Sequence, residues 1–131
     1  MSNRSLGEEM PDIYQSIYKK LEKIGVLDVR QYAVIEMPPF VPLCIDRLSE
    51  DVYALSQNPE VDGIMIADPD IEIRIDRVRK TAEPLTFQAG EIKREVYTAP
   101  GKVDLKARNE LSRFLDSWLS DLIEKGFIRD Q

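Results

Sequence analysis

"MIADPDIEIRID", residues 65–76, is the stretch on which the fold turns. Ile71, Ile73 and Ile75 alternate with Asp70, Glu72, Arg74 and Asp76, and a period of two predicts a β-strand with one apolar and one polar face. A strand wetted on one side belongs in an antiparallel sheet whose other side is packed. The isoleucines then point at whatever covers the sheet. The acids face water beside Arg74, which can pair with its same-face neighbours.

Strand chemistry extends to both sides of this stretch. "QYAVIEM" (31–37), "VPLCIDRLS" (41–49) and "DVYALSQ" (51–57) read as strands before it, with "PPF" (38–40) as a rigid turn. "NPEVDGI" bends the chain, since Asn-Pro and Asp-Gly both form turns. "PLTFQ" (84–88) and "KREVYT" (93–98) read as strands after it, the last entered through the turn at Gly90. Connections this short make neighbours antiparallel, giving a meander of five or six strands.

The two ends are helical. Ile13, Ile17, Leu21 and Ile24 recur every three or four residues, flanked by Tyr14 and Tyr18, so a short helix runs from Pro11 to Ile24 and stops at Gly25. "APGKVD" breaks the strand pattern, and a long helix follows from about Asp104, its N-cap, to Lys125, with Gly126 as the stop. Leu111, Phe114, Leu115, Trp118, Leu119 and Leu122 make its apolar stripe, and Phe114 and Trp118 read as core. The expectation is an α+β fold, an antiparallel sheet with the short N-terminal and long C-terminal helices packed on one face. Residues 1–9 read as a flexible lead-in to a single domain at 10–131.

Composition narrows the chemistry. The chain of 131 residues contains no histidine, which removes the common general base, the usual zinc ligand and every Ser/His or Cys/His nucleophile. No catalytic residue is therefore assigned. The single cysteine, Cys44, sits between Leu43 and Ile45 and reads as an inert strand thiol in a reducing, cytoplasmic setting. "MSNRSLGEEMPD" carries no apolar signal core, and no apolar run approaches the length of a membrane span.

Charge is unevenly spread. Nine acids and two bases lie between Asp46 and Asp76, so this segment carries −7 of a net −6 and the rest of the chain +1. That balance disfavours direct nucleic-acid binding, whose affinity comes from neutralising phosphates. It suits a partner protein with a basic surface or a divalent cation. "RVRK", from Arg77 to Lys80, reads as a strand-end cluster pairing with these acids.

Three stretches carry a resemblance. "VPLCIDRLSEDVYALS", "DGIMIADPDIEIRID", and "AEPLTFQ" through "EVYTAPGKVDLKARNELSRFLDSWLSDLIEKGF" are similar to a domain-of-unknown-function family from integrative elements and phages of Gram-positive bacteria, over residues 12–127. Members of that family commonly carry a His-Tyr pair and a Gln-Asn-Gly-Asp turn between the third and fourth strands. Here "LSQNPEVDGI" places Gln57 at the histidine position and keeps only Gly63 of the turn. The resemblance implies an accessory protein of a mobile element and lends no activity.

Two functional expectations follow. The first is a non-enzymatic interaction module, monomeric or dimeric through an edge strand, whose acidic surface contacts a basic partner through Asp62, Asp68, Asp70, Glu72 and Asp76. One version has the acids mimic nucleic-acid charge in the basic groove of a host defence or nucleic-acid enzyme. The second is a divalent-cation-dependent hydrolase or nuclease. On an extended strand Asp68, Asp70 and Glu72 form a row with Cα atoms about 6.5–7 Å apart, and such carboxylates could hold Mg²⁺ or Mn²⁺. No other cofactor is expected. A half-exposed strand produces the same alternation with no ligand at all.

Overall fold

The computed structural model describes residues 12–129. The lead-in at 1–9 and the helix-opening role of Pro11 lie outside the described residues. The first helix, α1, runs Ile13–Ile24, and Asp12 caps it by accepting from the Tyr14 amide at 2.9 Å. It ends at Gly25, whose φ of 97° is left-handed and whose amide reaches the Leu21 and Glu22 carbonyls. A 3₁₀ turn at Val26–Asp28 leads into the strands.

The strands are β1 (Tyr32–Ile35), β2 (Leu43–Arg47), β3 (Val52–Gln57), β4 (Glu60–Val61), β5 (Ile64–Met65), β6 (Asp70–Asp76), β7 (Thr81–Ala89), β8 (Ile92–Glu95), β9 (Tyr97–Ala99) and β10 (Lys102–Val103). Six of them form one antiparallel sheet in the order β1-β2-β3-β6-β7-β8, the expected meander. The other four make two small hairpins. Asp62 and Gly63, with φ of 54° and 80°, close β4 onto β5 as a two-residue turn, the geometry that Asp-Gly favours.

The last expected strand is corrected. Residues 93–98 do not run on as one strand. The sheet ends at Glu95, and Tyr97–Ala99 folds back against β10. Pro100 and Gly101 (φ 77°) occupy the turn positions that suit Pro and Gly, so the "APG" break is the turn of this hairpin. Val96 at the junction is fully buried; its amide donates to Leu85 and its carbonyl accepts from Asp104.

The long helix, α2, spans Leu105–Glu124, with Asp104 accepting from the Ala107 amide at 3.0 Å. Both helices pack on β7 and on each other, and the Ser16 hydroxyl and Lys20 ammonium converge on Asp116 at 2.7 and 2.9 Å. The core joins Ile17, Leu21 and Ile24 of α1 with Leu115, Trp118, Leu119 and Leu122 of α2. Against them lie Leu43, Ile45, Tyr53, Leu55, Ile71, Ile73 and Ile75 of the sheet. Each such side chain contributes roughly 1.5–3 kcal/mol when fully buried. Phe114 departs from the expected stripe. It is 40% exposed and stands at the rim, edge-on to Phe87 at 5.4 Å and stacked beside Trp118 at 6.4 Å.

One irregularity sets the phase of β7. Glu72 pairs with Thr86 but Ile73 pairs with Pro84, so Leu85 is an extra residue and forms a bulge. The bulge lets Ala82 and Pro84 face the core on one side of it and Phe87 on the other. Pro84 is tolerated inside a strand there, where the ladder is already interrupted.

Candidate functional site

Strand register places the polar face. On the side away from the core, one row across the sheet reads Val34, Cys44, Ser56, Asp70, Gln88, Lys93. The adjacent row reads Tyr32, Asp46, Ala54, Glu72, Thr86, Glu95. Among the described residues no helix lies over these rows. Strands sit about 4.8 Å apart, so Asp46 and Glu72 are two strands apart in one row, and Asp70 stands diagonal to Asp46 in the next.

The five acids expected to act together divide. Asp70 and Glu72 share the open face and, among the described residues, meet no Lys or Arg within salt-bridge distance. Asp68 lies before the strand, joined to buried Pro69 by a cis peptide, with its amide donating to the Gln57 carbonyl at 2.9 Å. Asp62 sits at the exposed tip of the β4–β5 hairpin. Asp76 is engaged locally, its Oδ1 accepting from the amides of Val78 and Arg79 at 3.1 and 3.0 Å. Asp76 thus caps the turn that leaves the strand. Among the described residues no three His, Cys, Asp or Glu side chains come together as a group able to hold a metal ion.

Arg74 does not serve the acids of its own strand. It reaches across to Glu83 on β7 at 3.0 Å and lies 5.1 Å from the Tyr97 ring, while the Tyr97 hydroxyl donates to Glu83 at 2.8 Å. Burial works to lower the Arg74 pKa, but Glu83 and Tyr97 outweigh it and leave the guanidinium above its ordinary value. The basic cluster is corrected likewise. Arg77 spends one nitrogen on the Tyr53 hydroxyl at 2.9 Å and the Leu27 carbonyl at 3.2 Å rather than on a carboxylate. Among the described residues, Arg79 is the one member of the cluster that approaches an acid, Asp76, at 4.0 Å.

Two participants escape a reading by sequence spacing. Asp46 belongs to the same surface as Asp70, and its charge raises the Asp70 pKa, second to the effect of burial. Tyr32, 59% exposed, donates its hydroxyl towards the Cys44 sulfur at 3.8 Å, and that contact raises the phenol pKa. Only cross-strand register brings these residues together. Gln57, by contrast, turns inward at the end of β3: its amide nitrogen donates to the Val41 carbonyl at 2.8 Å, and its oxygen accepts from the Trp118 indole at 3.2 Å.

A family model described as Domain of unknown function (DUF6908) matches residues 12–128. No curated protein and no solved structure matches the chain. Among the described residues no helix is long and apolar enough to cross a membrane.

Proposed function

The chain belongs to the DUF6908 family, and we propose that it acts as a non-enzymatic protein-binding module whose contact surface is the open face of the sheet. The observation that supports this is the division of labour across the sheet. One face is spent on the helices, and the other holds Asp46, Asp70 and Glu72 in two adjacent rows without ion-pair partners among the described residues. Tyr32 and Val34, 59% and 42% exposed on β1, add apolar area beside the acids, the mixture a protein interface uses. The partner that fits carries a basic surface, since complementary charge steers encounter and fixes orientation. Asp62, at the tip of the β4–β5 hairpin, and Asp68, just before β6, are exposed acids outside these two rows.

The resemblance to proteins of integrative elements and phages gives this module a setting, that of a mobile-element accessory acting in the cytoplasm, where the lone thiol of Cys44 stays reduced. Affinity capture from host lysate at low and moderate salt, with the parent protein and the Asp70→Lys/Glu72→Lys double variant side by side, tests the reading. Partners retained by the parent at low salt should be lost in the variant and weakened at moderate salt. An identical partner set on both proteins sinks it.

A further inference from the structure

We propose that a groove at the β6–β7 turn is a binding site for a small phosphate monoester, separate from the sheet-face contact. The groove has a volume of about 700 Å³ and lies where the turn at residues 77–80 meets the first turns of both helices. That size is ordinary for a small-molecule site. Four arginines line it: Arg74 from β6, Arg77 and Arg79 from the turn, and Arg108 from α2. Four acids line it as well, so formal charge alone decides nothing. What decides is which groups are already occupied.

The acids are largely spent. Glu83 holds Arg74 at 3.0 Å and accepts from Tyr97. Asp12 caps α1, and Asp76 caps the turn. Among the described residues the arginines keep donors in hand. Arg77 is anchored through one terminal nitrogen to the Tyr53 hydroxyl and the Leu27 carbonyl, which leaves its other donors unused. The Arg79 side chain is 82% exposed, with only its distant approach to Asp76. Arg108 adds a third: among the described residues its buried Nε has no hydrogen-bond partner, and its guanidinium lies 6.0 Å from the Tyr14 ring. Buried donors are nearly always paired, and this one gains a partner if an acceptor in the groove draws the guanidinium towards it.

A phosphate oxygen is that acceptor. Guanidinium groups match phosphate with paired, charge-assisted hydrogen bonds, and three arginines with spare donors surround the space. Asp51, exposed on the groove wall, opposes a polyphosphate and favours the lower charge of a monoester. Tyr14, Val78 and Ala82 line the groove and supply apolar surface against which an apolar or aromatic ester group can rest.

Titration of ¹⁵N-labelled protein with inorganic phosphate, phenyl phosphate and acetate at matched ionic strength tests the site. Both phosphates should shift the Arg108 Nε–H and Tyr14 resonances saturably, with phenyl phosphate binding more tightly, and acetate should not. Arg108→Gln and Arg79→Gln should each weaken phenyl phosphate about tenfold, the loss of one charge-assisted contact. Arg79 lies on an exposed turn, so its variant keeps the test decisive should Arg108→Gln fail to fold. Absence of saturation, an equal response to acetate, or unchanged affinity in Arg79→Gln overturns the proposal.

Discussion

Alternate residues of β6 live in different media. Ile71, Ile73 and Ile75 are at most 2% exposed beneath the helices, whereas Asp70, Glu72 and Arg74 stand on the open side of the same seven-residue strand. The backbone serves both faces equally, so the difference lies in what each face does for stability. The inner face holds the protein together by excluding water. The outer face divides again, into Arg74, which is paired to Glu83, and Asp70 and Glu72, which are paired to nothing among the described residues. Charges without a structural task are the ones left over for a partner.

The sharpest way to break that comparison is to alter neighbours on opposite faces. Ile73→Ala empties a site that is fully buried in the centre of the sheet and should cost about 2–5 kcal/mol in urea or guanidinium unfolding. Glu72→Lys, one residue away, should move the midpoint by less than about 0.5 kcal/mol, as surface changes away from special features do. Comparable losses in the two variants would mean that the outer face is structural after all.

A smaller effect is expected on the covered side at the end of β3, at Gln57. Its amide satisfies the Val41 carbonyl and the Trp118 indole together, so Gln57→Leu strands one acceptor and one donor in a partly buried setting. The expected loss is about 1–3 kcal/mol. Neutral histidine also offers one donor and one acceptor, so Gln57→His should cost less than Gln57→Leu. That pair of measurements tests whether the histidine of similar sequences does a structural job here. If Gln57→His is as damaging as Gln57→Leu, the two side chains are not equivalent.

The sequence made the covered face legible and left most of the open face unread, for a physical reason. Period-two and period-3.6 patterns report which side chains avoid water, and Ile71, Ile73, Ile75, Leu115 and Leu119 all lie in the core as their spacing requires. A lone extra residue such as Leu85 leaves no periodic trace, so the change of phase in β7 was hidden. Val96 reads as mid-strand because "KREVYT" alternates acceptably; only the downstream Pro100-Gly101 turn redirects Tyr97–Ala99. The candidate site suffered more. Asp68, Asp70 and Glu72 look like a row when counted along one strand, but surfaces are assembled across strands, and Asp46 enters through register with Ala54. The spare donors of Arg108 depend on burial, which no local pattern encodes.

The gentlest probe of the two faces is Asp70→Asn, because it changes one proton's worth of charge and almost no volume. Burial, and then the nearby Asp46 charge, raises the Asp70 pKa in the folded chain above its unfolded value. The folded state therefore holds this proton more tightly than the unfolded state does. Below the ordinary carboxylate range the group is neutral in both states and Asp70 carries no penalty. As pH rises from there through the raised folded value, the unfolded chain ionises first and stability is lost. Asn carries no such charge, so the variant should be more stable than the parent at neutral pH and equal to it in strong acid. Urea midpoints measured across that range check both the sign and the pH dependence. A variant less stable at neutral pH would show that the Asp70 carboxylate contributes to folding, and the open face would then lose its claim to be free for a partner.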